Sequence, residues 1–477
     1  MHKLNRLQPE RVFYYFEQIS NIPRGSENMK GIADYCVKFA KKYSLKYHCD
    51  EANNIIIYKG ASYGYEHSEP IILQGHLDIV CQKTEDSKID FIKDGIDIYA
   101  DGDFIKAKNT TLGADNGIAV AMILAILENK SLSHPAIEAV FTTDEEIGMI
   151  GAKRLDMGLL SAKKMINLDS EEDDTIIVSC AGGSDFLVTL PINRKAKYGT
   201  EVIITLKGLK GGHSGVEIDK NRINANILAG RFLNHIKNEC DFDIIGIDGG
   251  NKVNATANLC CIKICCDDEK SFVSRAQEYF SVIKDEIISS EEDFYSEIVV
   301  GQAKEYEVFE KDYITHILCC TPDGVIKMSN EIEGLVETSL NLGILKTEKI
   351  NITLQYALRS NKQSALNFLE EKMTAFFELI PCHIKTFGHY PPWEFKSDSS
   401  LQQLYKNVYA EHFGFDVKTQ ALHAGLECGV FAHKIKDLDC IAVGPNIHDV
   451  HTVNEKLSIS SVKNFYKLLI KVLEKSI

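Results

Sequence analysis

Through the first 185 or so residues, apolar positions alternate between helical spacing and the short unbroken runs of buried strands. Helical spacing covers Glu10–Ser20 and 26–43, after which NNIIIYKG and PIILQGHLDIV read as strands. ADNGIAVAMILAILEN is apolar nearly all round and predicts a core helix, followed by the strands AIEAVFTTD and KKMINLDS. This rhythm predicts an α/β domain, with polar residues repeatedly placed where strands end, the edge at which open α/β sheets collect ligands. From about Asp185 the character changes. FLVTLPI and EVIITLKG alternate as strands, NRINANILAGRFLNHI is an amphipathic helix, and NLCCIKICC is another strand, together a ββαβ-like α+β layer. A second set (SFVSRAQEYFSVIKDEI, GLVETSLNLGILKTEKINITLQYALRS, SALNFLEEKMTAFFELI) suggests that this insert is a doubled unit. Beyond Thr386 the α/β pattern returns with LQQLYKNVYAEHF, LDCIAVGP and SISSVKNFYKLLIKVLEKS. The expected organisation is one domain built from 1–185 and 387–477, interrupted by a second at 186–386.

Length supports the division, since 477 residues exceed a single ordinary hydrophobic core. No stretch approaches the roughly 20 uninterrupted apolar residues of a membrane helix. The N-terminal segment is broken by Asn5, Arg6 and Gln8 before an apolar core forms, unlike a signal peptide, so the expectation is a soluble, cytoplasmic protein. Lysine and arginine number 53 against 68 acidic residues, a formal charge of −15 that disfavours nucleic-acid and anionic-membrane partners. The 14 cysteines fall singly or as doublets without a C-x-x-C pair, which reads as reduced, buried small hydrophobes. Cys81, close to the GHLD strand, has a nucleophilic reading beside ordinary packing.

Five groups able to bind metal lie along the chain: His76 in GHLD, Asp115 in LGADNG, Glu146 in TTDEEIG, Asp169 in NLDS and His451 in DVHTVNE. His76 and Asp78 are two apart on a strand, so both project to one face, and Asp78 can accept the second imidazole N–H of a metal-bound His76. The adjacent acids Glu145 and Glu146 allow one carboxylate to ligate a cation while the other takes a proton from its water, the division of labour in metal-assisted hydrolysis. Taken singly each residue has a plainer reading: a helix cap for Asp115, an acidic turn for Glu145 and Glu146, an exposed acidic loop for Asp169, a crowded loop for His451. Their joint order, each at a strand or helix boundary, favours the metal.

The strings LQGHLDIVCQK, TTLGADNGIAVA, TTDEEIGMIGA, NLDSEE, CAGG, GGHSGVEI, GGNKVNATAN and HAGLECG closely resemble the aminoacyl-histidine dipeptidases, the cytosolic nonspecific or carnosinase-type dipeptidases of the dizinc aminoacylase and carboxypeptidase superfamily. The likeness runs from IPRGS to HTVNEK, essentially the whole chain. It implies an α/β metallopeptidase catalytic domain, with a central mixed sheet flanked by helices, interrupted by an α+β lid domain. It implies two zinc ions bridged by Asp115, one also held by His76 and Asp169, the other by Glu146 and His451, with manganese or cobalt as substitutes. Glu145 would be the general base. A cis peptide between Asp115 and Asn116 is implied as well. In the lid, His213 would stabilise the oxyanion, Asn254 and Arg359 would receive the substrate's polar termini, and Gly425 would allow close approach of the backbone, with Glu427 beside it as an amine partner. Small dipeptides and a second copy of the chain are the implied partners.

Two departures stand out. Thr256 and Ala257 follow Ala255 where Ile-Pro is usual, suggesting an altered substrate wall, and PPWEF replaces Tyr-Pro-Gly-Trp, suggesting a differently shaped hinge near Tyr390–Trp393. An aminoacylase or tripeptidase on the same scaffold is the nearest competing activity. A silent metal-binding protein is disfavoured by the presence of Glu145, and phosphoryl transfer by the lack of a Gly-rich phosphate loop.

Overall fold

The computed structural model describes residues 3, 4 and 6–477; Asn5, one of the polar residues invoked against a signal peptide, lies outside the described residues. The chain forms two units, one of 1–180, 395–421 and 426–477, the other of 181–394 and 422–425. The crossovers differ from 185/186 and 386/387 because the Gly182–Pro191 and His383–Tyr390 strands pair with one another in the second unit's sheet. The four-residue return at 422–425 has no signature in the pattern of apolar positions.

Among the described residues, the first unit has an eight-stranded mixed sheet. Its centre is parallel: Ile137–Thr142, Ile71–His76, Lys164–Asn167 and Asp439–Ala442 lie side by side, with antiparallel strands at both flanks. Parallel strands covered on both faces need continuous apolar sequence, and every residue of Ile71–His76 and Ile137–Thr142 is buried. The Ala114–Glu128 helix is buried along nearly its whole length, as its sequence predicts. Gly75 makes room for its first turn: a Cβ there would lie 2.4 Å from Asn116 Oδ1, which accepts the His76 N–H at 3.2 Å. A four-stranded sheet of Ile98–Asp101, Phe104–Ala107, Ile447–His448 and Lys456–Ser458 carries the His451 loop.

The second unit is built on one nine-stranded sheet, so both predicted helix–strand sets share a single layer. Strict alternation sorts its side chains. Phe186, Val188, Val202, Ile204, Leu354 and Tyr356 face a core shared with Phe232, Phe272 and Phe377 of the helices Ala225–Ile236, Glu269–Ile287 and Gln363–Phe377. The opposite face carries Asp185, Ser339, Asn341 and Arg359, whose neighbours along each strand point into the core. No helix of the described residues is long and apolar enough to cross a membrane.

Candidate metal centre and substrate-binding residues

His76 closes its strand and is 1% exposed. Its Nδ1 lies 3.1 Å from the Asp78 main-chain carbonyl and 3.5 Å from Asp78 Oδ1, both acceptors, so the ring proton of a neutral imidazole belongs on Nδ1. The Nε2 lone pair then faces Asp115 Oδ1 at 3.1 Å and Asp169 Oδ1 at 3.6 Å. Asp115 Oδ2 lies 3.0 Å from His451 Nε2, which is 3.1 Å from Glu146 Oε2. One carboxylate thus offers an oxygen to each of two imidazoles. Among the described residues, His76 and His451 are the only ion-pair partners of Asp115, Glu146 and Asp169.

Converging lone pairs repel unless a proton or a cation lies among them. Zinc bonded to nitrogen and oxygen at about 2.0–2.1 Å has a tetrahedral edge of about 3.3 Å, and the donor separations here run from 3.0 to 3.6 Å. Ligand atoms of His76, Asp115 and Glu146 all lie within 4.8 Å of one another. The titration pattern agrees. Burial alone would lower His76, yet Asp169, Asp115 and Asp78 carry it well above its ordinary value, and hydrogen bonds to Asp115 and Glu146 carry His451 up to about 11. Burial raises Glu146 and Asp169, while the two imidazoles outweigh burial at Asp115 and hold it far below the carboxylate range. Surplus negative charge with nitrogen and oxygen donors and no sulfur suits zinc, manganese or cobalt.

Glu145 stands apart from the donors. Among the described residues its carboxylate makes no hydrogen bond; burial, with the charges of Asp169, Glu427 and Glu146, pushes it well above its ordinary value. That places it where a carboxylate accepts a proton readily. Asp78 aims the loop: its carboxylate accepts the N–H groups of Glu145 at 3.0 Å and Glu146 at 3.1 Å, and the Ser26 hydroxyl at 2.9 Å. The nearest acceptor for the His76 Nδ1–H is therefore the Asp78 carbonyl, with the expected carboxylate slightly farther.

Two residues without an assignment from sequence hold the bridging carboxylate. Glu455, 3% exposed, accepts the N–H groups of Leu112, Gly113 and Ala114 at 2.8–3.0 Å and of Asp115 at 3.4 Å. Arg24, 2% exposed, donates to the carbonyls of Leu77 at 3.0 Å and Gly113 at 2.6 Å. The strings IPRGS and VNEK contain them, but nothing in their spacing joins either to residue 115. The Asp115–Asn116 peptide is cis, as the resemblance implies.

In the second unit, His213 Nδ1 accepts the N–H groups of Gly215 and Val216 at 3.1 Å each, which leaves Nε2 protonated and a donor. Burial and the Arg359 charge push this ring down to about 4, so it is neutral at physiological pH. The Gly212–His213 strand pairs with Ala255–Thr256, and the Asn254 carbonyl accepts the Ser214 N–H at 2.9 Å, bringing the segments of His213 and Asn254 together. Asn341 Nδ2 donates to the carbonyls of Val253 and Ala255, both at 3.0 Å, and leaves the Asn254 side chain exposed. Arg359 is 8% exposed; Nη1 donates to the Tyr390 hydroxyl at 2.7 Å, and Nε has no partner. Among the described residues no carboxylate forms an ion pair with this buried guanidinium. Gly425 closes the 422–425 segment.

The structure also places four other features singled out in the sequence. Glu427 is fully buried, its Oε2 accepting from Gln74 Nε2 at 2.5 Å and Thr142 Oγ1 at 2.6 Å, while among the described residues Oε1 has no hydrogen-bond partner. Burial raises the Cys81 thiol, the opposite of what a nucleophile needs. Thr256 and Ala257 are buried, and the Ala257 carbonyl accepts the Ala225 N–H at 2.7 Å. Pro392 seats on Gly182, where a Cβ would come within 2.5 Å of its nitrogen, and Trp393 is 3% exposed; this segment anchors Tyr390.

A sheet whose parallel strands end in metal donors, with a proton-accepting carboxylate beside them, is the core of a metallopeptidase. The chain belongs to peptidase family M20/M25/M40, whose model matches residues 72–475. It is 35% identical over 480 residues to the cytosol non-specific dipeptidase of Escherichia coli (strain K12), covering 99% of both chains. The crystal structure of aminoacylhistidine dipeptidase from Vibrio alginolyticus superposes with a TM-score of 0.89 at 35% identity, over 99% of this chain and 97% of that one. Aminopeptidase PepT from Bacillus cereus shares the fold, with a TM-score of 0.57 at 16% identity over 98% of this chain and 99% of that one.

Proposed function

We propose that this enzyme hydrolyses the peptide bond of unblocked dipeptides, β-alanyl-histidine and other Xaa-His among them, with two zinc ions. The observation that carries the reading is Asp115, whose two oxygens face His76 and His451 separately. His76, Asp169 and Asp115 would hold one ion, and His451, Glu146 and Asp115 the other. When bound, such ions polarise the scissile carbonyl and make attack by water feasible at neutral pH. Glu145 takes the proton of the attacking water and returns it to the leaving amine. His213, a neutral Nε2–H donor, supplies a hydrogen bond to the carbonyl oxygen as charge develops there. Arg359, buried and in no ion pair among the described residues, takes the free C-terminal carboxylate in its fork, and Asn254 binds a polar terminus of the substrate. The names of the Escherichia coli and Vibrio relatives, both dipeptidases, support the substrate class. We infer cytoplasmic residence from the first of these names and a homodimer from the family resemblance.

A panel of free dipeptides, N-acetylated amino acids and tripeptides tests the proposal. Cleavage of free dipeptides with little of the others supports it; cleavage of acetylated substrates alone makes the enzyme an aminoacylase, and preference for the longer peptides makes it a tripeptidase.

A further inference from the structure

Arg359 belongs to a row that crosses four neighbouring strands. Ser339 on Val336–Thr347 stands opposite Arg359 on Asn351–Ser360; Arg359 stands opposite Gly183 on Gly182–Pro191; and Gly183 stands opposite Tyr390 on His383–Tyr390. Directly opposed residues project to one face of an antiparallel sheet, so the row is a line of adjacent side chains on the face away from the core. Gly183 leaves a gap in that line. A Cβ there would lie 2.5 Å from the Tyr390 hydroxyl, and the missing side chain is what lets the guanidinium and the phenol meet at 2.7 Å across an intervening strand. The second glycine of CAGG thus has a physical task.

At the other end of the row, His423 covers Ser339. It is 5% exposed, and both ring nitrogens are engaged, Nε2 with Ser339 Oγ at 2.7 Å and Nδ1 with Asn361 Oδ1 at 3.1 Å. Because the amide oxygen only accepts, Nδ1 carries the proton and Nε2 accepts from the serine hydroxyl. Burial and the nearby guanidinium push the ring down to about 3, so it stays uncharged. The His423 carbonyl also packs on the His213 turn, where a Cβ on Gly215 would come within 2.5 Å of its oxygen.

We propose that Tyr390 and His423 are positioning residues of a carboxylate subsite: the phenol fixes one arm of Arg359, and the uncharged imidazole, held by Ser339 and Asn361, walls its other side. Neither carries a charge that would neutralise the guanidinium, and the Nε–H left without a partner remains for an anionic ligand. The proposal deepens the function above and rests on the reading that Arg359 receives the substrate's C-terminal carboxylate.

The test compares kcat and KM for a free dipeptide and its C-terminal amide in the wild-type enzyme and in Arg359→Gln, Tyr390→Phe and His423→Gln. Tyr390→Phe deletes one oxygen and keeps the ring, so a folded protein is expected, checked by thermal unfolding. Losing one charge-assisted hydrogen bond predicts a rise in KM for the free dipeptide of about tenfold, with kcat little changed and the amide unaffected. His423→Gln, whose amide oxygen can still accept from Ser339, shifts KM in the same sense by less. Equal losses on dipeptide and amide, or no change in either, overturn the proposal. If Arg359→Gln leaves the preference for the free dipeptide intact, the reading beneath the proposal fails instead, and that result is visible separately.

Discussion

At the scale of single residues, Glu145 and Glu146 show how neighbours in sequence acquire different work. Glu146 lies 3.1 Å from His451, among the candidate donors, while Glu145 makes no side-chain hydrogen bond among the described residues and sits, buried, among negative charges that favour its protonated form. Replacing Glu145 with alanine is expected to lower kcat by on the order of 10²–10⁴ with bound metal unchanged, read by steady-state kinetics beside elemental analysis. Loss of metal together with activity would make Glu145 a ligand. His423 gives a prediction for stability. Its folded pKa, about 3, lies below the ordinary 6.5 because of burial and Arg359, so its contribution is fully present above pH about 6.5 and is lost as pH falls towards 3. At about 1.4 kcal/mol per pKa unit, roughly 2 kcal/mol should disappear between pH 6.5 and 4.5. Thermal unfolding of His423→Gln should therefore fall less steeply with acid than that of the wild type; parallel slopes would contradict the assignment. His76, Asp115, Glu146, Asp169 and His451 could be singled out as candidate metal donors because His76 closes a strand, Asp115 lies in the first turn of a helix and the other three fall in loops that follow strands. Glu455 was not, since its partners lie more than 300 positions away and a glutamate before a lysine in a loop has no distinguishing pattern.

At the scale of elements, the donors depend on loops held from behind. Glu455 gathers the N–H groups of 112–115, and Asp78 gathers those of Glu145 and Glu146, so two buried carboxylates shape the two loops that carry the candidate donors Asp115 and Glu146. Glu455→Ala should weaken zinc binding by about 10–100-fold in a competition titration, as loss of an outer hydrogen-bond partner does elsewhere. Unchanged affinity would show that the Asp115 loop holds its shape without it. The helices were read well wherever apolar residues line one face: Glu10–Ser20 was predicted to its ends, and Ala225–Ile236 lost only the residues before its Asn224 cap. The strand Tyr295–Val308 was not predicted. It lies at the edge of its sheet with nearly every side chain at least partly exposed, so YSEIVVGQAKEYEV shows no alternation to detect. The row from Ser339 to Tyr390 was equally hidden, because register between strands far apart in sequence is set by pairing, not by local composition.

At the scale of the molecule, the sequence conveyed an interrupted α/β domain through the return of its pattern near the C-terminus, where His451 lies. It did not convey the short excursion at 422–425, which brings His423 into the second unit within a few residues of Glu427 in the first. The proposed division of labour is chemical: candidate metal donors and a candidate proton acceptor in the first unit, neutral hydrogen-bond donors and a buried guanidinium in the second. Removal of metal should abolish hydrolysis while leaving the second unit's hydrogen bonds intact. The most direct test is therefore a zinc titration of the chelated protein and of Glu145→Ala, following both bound ions and cleavage of β-alanyl-histidine. The account predicts that wild-type activity climbs with zinc to a plateau at two ions per chain, while the variant binds the same two ions and stays inactive. Full activity without metal, or an active Glu145→Ala enzyme, would contradict it.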